Sequence, residues 1–390
     1  MRIGVRQIGE GAHDVGAHGA APVYVIAELG VNHDGSPARA LELTEAAARA
    51  GADAIKLQLF RADLLMSAAS ELAGYQKSAG ERDPREMLRR LELPIGAMAE
   101  VVGRAHELGL HAIVTPFSVE LVAEAERMGG GDVGWDAYKT ASPDVVHRPL
   151  LRALLATGKP MIVSTGAADL GEVSRAAGWL ASATTGPHGR VAMLQCVSCY
   201  PTADEDAAIR GMEAIRGVFG GPVGYSDHTR GVDTGAVAAG LGAAILEKHL
   251  TLSRALPGPD HAASLEPEEF RTYATLARDE SAMRAWMSGG AAAAGGVAAG
   301  ERERVPMRED RRWGEARKVV LACERDVRRV SRQSITAKGD LPQGHRLEAK
   351  DVTFKRPGIG LEPWRLDEVV GRRLRRAVGA DWPIMAEDVA

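Results

Sequence analysis

Cysteine is scarce: Cys196, Cys199 and Cys323 are the only three in 390 residues. So few cannot build a disulfide scaffold, and they suit a reducing, cytoplasmic compartment. Cys196 and Cys199 form a lone C-x-x-C without a second pair, at the end of a strand-like run, so a plain structural role is expected in place of redox or zinc chemistry. Excess positive charge is also missing. Lys and Arg number 48 against 52 Asp and Glu, a net charge of -4, so no global field draws nucleic acid or an anionic membrane, and any bound anion needs a local site. Long apolar runs are absent as well. The most apolar stretch, Gly235 to Leu246, ends at Glu247-Lys248, short of the ~20 residues of a membrane helix. The opening Met1-Arg2-Ile3-Gly4-Val5 turns polar and Gly-rich at once, without the apolar stretch of a secretory signal, and reads as mature protein.

A hydrophobic fraction of 45% and a charged fraction of 26% fit one large domain and a smaller one. Eight short, apolar, β-branched-rich runs recur: Val23 to Ala27, Ala54 to Leu59, Ala112 to Thr115, Ala137 to Thr140, Met161 to Ser164, Val191 to Gln195, Val223 to Ser226 and Ile245 to Lys248. Between them lie stretches with apolar residues at helical spacing, among them Ser36 to Ala50, Val119 to Met128, Leu170 to Ala181 and Asp204 to Arg216. Eight such units in about 250 residues predict an α/β fold, a (β/α)8 TIM barrel, ahead of an open doubly wound sheet. The segment before Val23 is expected to form a hairpin closing the bottom of the barrel. Residues 288–300 are nearly all Gly and Ala and residues 301–317 are dense in charge, which marks a linker. The expected division is a barrel over 1–287, a linker over 288–327 and a small β-rich domain over 328–390.

Active sites of this fold sit at the C-terminal mouth of the barrel, so the strand ends are where chemistry is sought. They are polar: Glu28 and Asn32-His33-Asp34-Gly35; Lys56 and Gln58; Thr115-Pro116-Phe117-Ser118; Lys139-Thr140-Ala141-Ser142; Ser164-Thr165-Gly166; Ser198 and Tyr200-Pro201; Ser226-Asp227-His228; Glu247-Lys248-His249. A lysine inside a barrel strand is costly without a partner. Lys56 and Lys139, with hydroxyls of Thr115, Ser142, Ser164 and Ser226, would therefore hold a phosphate and a carboxylate. The alternative is that each lysine pairs with a carboxylate such as Glu28 or Asp144. His228 and His249 end adjacent strands and would share a divalent cation with open positions, able to polarise a carbonyl.

Taken together, Ala27 to Gly35, Lys56-Leu57-Gln58, Thr115-Pro116-Phe117, Lys139 to Ser142, Ser164-Thr165-Gly166, Tyr225 to Thr229, Glu247-Lys248-His249 and Pro257-Gly258-Pro259-Asp260-His261 make a chain that resembles the N-acetylneuraminate (sialic acid) synthase family. The final module is similar to that family's antifreeze-like, or SAF, domain. The resemblance implies that phosphoenolpyruvate is held by Lys56, Thr115, Lys139, Ser142, Ser164 and Ser226, with Mn2+ or Mg2+ on His228 and His249. Glu28, Gln58, Tyr200 and Asp260 would face an amino-sugar aldehyde such as N-acetylmannosamine, with Glu28 as general acid or base. Arg356 would arrive from the SAF domain of a partner subunit, which implies a domain-swapped homodimer. The product would be a nine-carbon 2-keto acid plus phosphate.

Departures fall on the presumed acceptor side: Ser78-Ala79 where relatives commonly offer Asn, Ser142-Pro143-Asp144 in place of Ser-Gly-Glu, and Ser198 in place of Asn. They leave the acceptor open between N-acetylmannosamine and a deoxy-diamino relative. Arg332-Gln333-Ser334 also replaces Arg-Arg-Ser in the SAF domain. Two other readings stand beside this one. Another phosphoenolpyruvate-dependent keto-sugar-acid synthase would need a second phosphate cluster for its acceptor, which the sequence does not offer; a non-catalytic sugar-binding barrel would not need the lysines and histidines kept.

Overall fold

The computed structural model describes residues 1–9, 22–128, 134–184, 189–279 and 310–390. A hairpin of β1 (Arg2–Ile3) and β2 (Arg6–Gln7) opens the chain. Eight strands follow: β3 (Tyr24–Gly30), β4 (Ala54–Leu59), β5 (His111–Pro116), β6 (Ala137–Thr140), β7 (Met161–Ser164), β8 (Val191–Cys196), β9 (Val223–Asp227) and β10 (Ile245–His249). All eight neighbours pair in parallel, and β10 returns to β3, so the sheet closes into the expected barrel.

Helices cover the outside of the barrel because their apolar residues recur on one face. In the helix Pro37–Arg49, Ser36 Oγ accepts from the Arg39 N–H at 3.3 Å, Pro37 opens the first turn, and Ala40, Leu43, Ala46 and Ala47 are buried. Their partners are the outward side chains of the strands, such as Val25, Ile55, Val114 and Val163, which join them in one continuous core. The stretch 204–216 departs from the single helix expected there. It is a 3-10 turn at Asp204–Asp206 followed by a helix at Gly211–Arg216. Ala208 between them has φ 47, a left-handed conformation that no helix can continue.

The hairpin plugs the lower end as expected. Ile3 and Ile8 pack among Tyr24, Ile26, Ile113, Ile162 and Ile245 in a second apolar cluster inside the barrel. The Gly- and Ala-rich stretch anticipated as a linker lies outside the described residues as far as 309. From 310 onward the chain lies on the barrel. Arg312 is buried between Asp310 at 2.6 Å and Asp233 at 2.7 Å, and Lys318 Nζ donates to the Cys196 carbonyl at 3.2 Å. A helix, Arg325–Ser331, leads into the C-terminal module, where β11 (Ser334–Ala337) and β12 (Val352–Lys355) pair antiparallel over a small core of Ile335, Leu347, Leu361, Leu374 and Ile384.

One buried carboxylate of the barrel gathers two arginines at the approach to this module. Glu172 accepts from Arg328 at 2.8 and 2.9 Å and from Arg332 at 2.6 and 2.9 Å. Burial opposes the charge on Glu172, but Arg332 and Arg328 outweigh it and hold the carboxyl down to about 2. No helix among the described residues is long and apolar enough to cross a membrane.

Candidate active site

Side chains alternate along a strand, so each barrel strand sends every second residue to the axis. Low in the barrel those residues are apolar: Tyr24, Ile26, Ala54, Ile113, Ala137, Ile162 and Ile245. One step higher on the same faces stand Glu28, Lys56, Thr115, Lys139, Ser164, Ser226 and Glu247. The two kinds change over inside each strand, which sets a polar chamber on an apolar floor.

Lys56, Gln58, Thr115, Lys139, Ser142, Ser164, Ser198, Tyr200, Ser226, His228, His249, Asp260 and Arg356 line one cavity at this mouth. Two of the expected residues stand behind the wall. Glu28 is fully buried beneath it, ion-paired with Lys56 and accepting from Gln58 Nε2 at 2.9 Å. Asp144 lies behind Ser142 and Pro143, where its carboxylate accepts from Gln333 Nε2 at 3.1 Å. Burial pushes Asp144 up to about 7 despite the nearby Arg356 guanidinium.

Contrary to expectation, the two buried lysines do not by themselves demand a bound anion, because carboxylates already meet them. Besides Glu28, Lys56 Nζ lies 3.5 Å from Glu247 Oε2, and Lys139 Nζ lies 3.2 Å from Glu247 Oε1. Asp144 is not the partner of either lysine. Lys139 Nζ also donates to Ser164 Oγ at 2.7 Å and Lys56 Nζ to Thr115 Oγ1 at 3.4 Å, while Ser226 Oγ donates to Glu247 Oε1 at 2.9 Å. Burial and the neighbouring Lys139 lower Lys56 to about 7, against the pull of Glu247. Burial raises Glu247, but Lys139, Lys56 and His249 hold it down to about 2, so it stays ionised.

Glu247 is the central residue that sequence reasoning missed. Its signal was parity: Ile245 and His249 face inward on β10, so the residue between them must too. The same parity sends Asp227 and Lys248 outward, where Lys248 Nζ meets Asp227 Oδ2 at 2.9 Å across β9 and β10. That buried pair is structural. Asn32 and Asp34 are structural as well. Asn32 Nδ2 donates to the Leu250 carbonyl at 2.9 Å and to Ser264 Oγ at 2.8 Å, and Asp34 meets His261 at 3.2 Å, which fixes the loop carrying Asp260.

The two histidines stand together, with ring centroids 5.5 Å apart. His228 Nδ1 donates to the Val197 carbonyl at 2.7 Å, which leaves its other nitrogen for the cavity. His249 Nδ1 is buried, has no hydrogen-bond partner among the described residues, and lies 3.8 Å from Asp260 Oδ2. Burial and the positive neighbours push His249 well below the usual imidazole range, which keeps it neutral as a ligand must be. His228 is lowered by burial and raised more strongly by Cys196 and Val197, so a cation there would compete with a proton. Among the described residues no three His, Cys, Asp or Glu side chains form a ready-made cluster. Two imidazoles alone would leave coordination positions open to water or substrate.

The C-terminal module supplies the rest of the wall. The Arg356 N–H donates to the Leu65 carbonyl at 2.8 Å, and its guanidinium lies 5.4 Å from the centre of the Phe117 ring. Gln333, which the sequence reading did not place here, also donates to the Phe117 carbonyl at 2.9 Å. Arg356 was expected from a partner subunit; in this structure it comes from the module lying on the barrel of its own chain.

The model of the NeuB family matches residues 43–286. The chain belongs to the NeuB family. A SAF domain matches residues 332–390, the module that carries Gln333 and Arg356. Among relatives of this NeuB-family chain, the N,N'-diacetyllegionaminic acid synthase of Legionella pneumophila is 32% identical, over 94% of each chain. The pseudaminic acid synthase of Campylobacter jejuni is 29% identical over 91% of this chain and 93% of that one. The crystal structure of spore coat polysaccharide biosynthesis protein SpsE from Bacillus subtilis superposes with a TM-score of 0.77 at 25% identity, over 100% of this chain and 99% of that one. The N-acetylneuraminic acid synthetase of Leptospira borgpetersenii, solved with citrate, gives 0.56 at 29% identity, over 66% and 83%.

Proposed function

We propose that this chain condenses phosphoenolpyruvate with N-acetylmannosamine or a deoxy-diamino relative of it, giving a nine-carbon 2-keto acid and phosphate. The observation that carries the reading is the convergence of Lys56, Lys139, Ser164, Ser226 and the His228–His249 pair on one chamber. Relatives that make sialic-acid-type sugars support it.

Lys56 and Lys139 with the Thr115, Ser142, Ser164 and Ser226 hydroxyls hold the carboxylate and phosphate. Glu28 and Glu247 keep both ammonium groups in place and aimed inward. Because these carboxylates already balance the lysines, the charge of the incoming phosphoenolpyruvate calls on a divalent ion for further compensation. His228 and His249 would hold Mn2+ or Mg2+, which supplies Lewis acidity toward the aldehyde oxygen of the sugar. The methylene carbon of phosphoenolpyruvate attacks the aldehyde carbon, water adds at C2, and the C–O bond to phosphate breaks. Asp260, pushed up to about 6 by burial, lies beside His249 with the Tyr200 ring nearby and can share a proton with a sugar hydroxyl. Gln58, Tyr200, Ser198 and Arg356 shape the acceptor end, and Gln333 fixes Asp144 behind it. The proposal includes a homodimer that exchanges SAF domains, in which a second copy would supply Arg356.

The test is phosphate release from phosphoenolpyruvate with Mn2+ or Mg2+ across a panel of N-acetylated and diacetamido hexoses, with mass detection of the keto acid. Release that depends on one such aldehyde is expected. Silence across the panel, with binding of sugar intact, would establish the non-catalytic sugar-binding reading.

A further inference from the structure

The C-x-x-C at 196 and 199 is divided by the geometry of β8. Cys196, its last residue, is buried in the barrel with Sγ 3.7 Å from His228 Nδ1. Cys199, three residues on, faces the other way. Its Sγ lies 3.4 Å from the Pro201 carbonyl, and the Ser198 N–H beside it bonds Glu324, the neighbour of Cys323. Cys323 belongs to the strap formed by residues 310–331 along the barrel, and Glu324 beside it fixes the approach. The Glu324 carboxylate accepts from the backbone N–H of Ala167 at 2.6 Å, of Ser198 at 2.8 Å and of Leu321 at 2.9 Å. The residue next to each sulfur is thus bonded to the residue next to the other, and both cysteines are free and only half-buried.

We propose that Cys199 and Cys323 form a redox pair that a peroxide closes into a disulfide, clamping the 310–331 strap to the loop that carries Tyr200. The Cys199 thiolate attacks one peroxide oxygen, the O–O bond breaks, and Cys199 becomes a sulfenic acid as hydroxide leaves. The Cys323 sulfur then attacks that of Cys199, the S–O bond breaks, and its proton leaves with the oxygen as water. Two thiols and one hydrogen peroxide become one disulfide and two waters; sulfur gives up two electrons and the peroxide takes them.

The roles of attacker and resolver follow from the surroundings. A hydrogen bond from Cys323 holds the Cys199 thiol down to about 7 against the effect of burial, and the same bond pushes Cys323 up. Cys196 has no comparable access, being closed inside the barrel. The clamp would also act on the site. Tyr200 follows Cys199 directly and its ring centre lies 4.2 Å from that of His228, while the strap carries Arg328, one of the two arginines that grip Glu172.

The experiment treats the full chain with hydrogen peroxide, counts free thiols and maps cross-linked peptides by mass. The thiol count should fall from three to one, the cross-link should join 199 to 323, and dithiothreitol should reverse it. The oxidised protein should resist urea to a higher concentration. Cys323→Ser should lose the cross-link and leave Cys199 trapped by dimedone as the sulfenic acid; Cys196→Ala should keep the cross-link. A Cys196–Cys199 bridge, three surviving thiols, or over-oxidised Cys199 without a bridge in the unaltered protein would each overturn the proposal.

Discussion

Replacing Glu172 with Gln removes a buried charge that helps hold the SAF domain on the barrel while keeping the side chain's shape. Burial costs the carboxylate, and the Arg332 and Arg328 guanidinium groups more than offset that cost, so its folded value of about 2 lies well under the ordinary 4.5. That gap corresponds to roughly 3 kcal/mol favouring the docked state when the carboxyl is ionised. Because the folded value is depressed, the contribution is complete above about pH 4.5 and fades as pH falls toward 2. Urea unfolding followed by tryptophan emission can read it, since Trp364 of the SAF domain lies against Arg175 of the barrel, 4.7 Å from the guanidinium to the ring centre. Glu172→Gln should be less stable at pH 7 by about that amount, and the two proteins should converge as the medium is acidified. Equal stability at pH 7, or a gap that stays constant down to pH 3, would refute the reasoning.

Three further outcomes are expected. His228→Ala and His249→Ala should each abolish turnover with the circular dichroism spectrum unchanged, and chelation should silence the unaltered protein; full activity in a chelated variant would defeat the metal assignment. Glu247→Gln leaves Lys139 without its carboxylate and should raise KM for phosphoenolpyruvate at least tenfold, with stability lower by roughly 3–5 kcal/mol because a buried pair is broken on one side; unaltered kinetics would show that Glu247 does not organise the lysines. Arg356→Ala should raise KM for the sugar more than KM for phosphoenolpyruvate, and an equal effect on both would remove Arg356 from the acceptor end.

The strands were legible because short β-branched runs between helical periods leave few options: Ala54–Leu59, Ala137–Thr140 and Met161–Ser164 match to the residue. Strand ends ran longer than expected where polar residues were taken for loop. Val23 to Ala27 became Tyr24–Gly30 because Glu28, polar as it is, still points inward and pairs with Lys56. The gathering of Lys56, Lys139, His228 and His249 was likewise readable, since strand ends converge in a barrel. Glu247 was hidden by its polar neighbours Lys248 and His249, although parity would have exposed it. Gln333 and Cys323 could not be reached this way. They meet the barrel through packing between segments over a hundred residues apart, and no periodicity encodes such contacts.

The SAF domain gives the Arg356 side chain to a chamber whose other walls come from the barrel and the helix leading out of it, while Gln333 braces Asp144 behind that wall. An engineer could therefore retune which sugar fits by grafting a different C-terminal segment onto an unaltered barrel. Such a graft would have to keep the arginines that grasp Glu172 and the Gln333 and Arg356 contacts to the barrel, so compatibility between the halves can be screened by docking before any activity is measured.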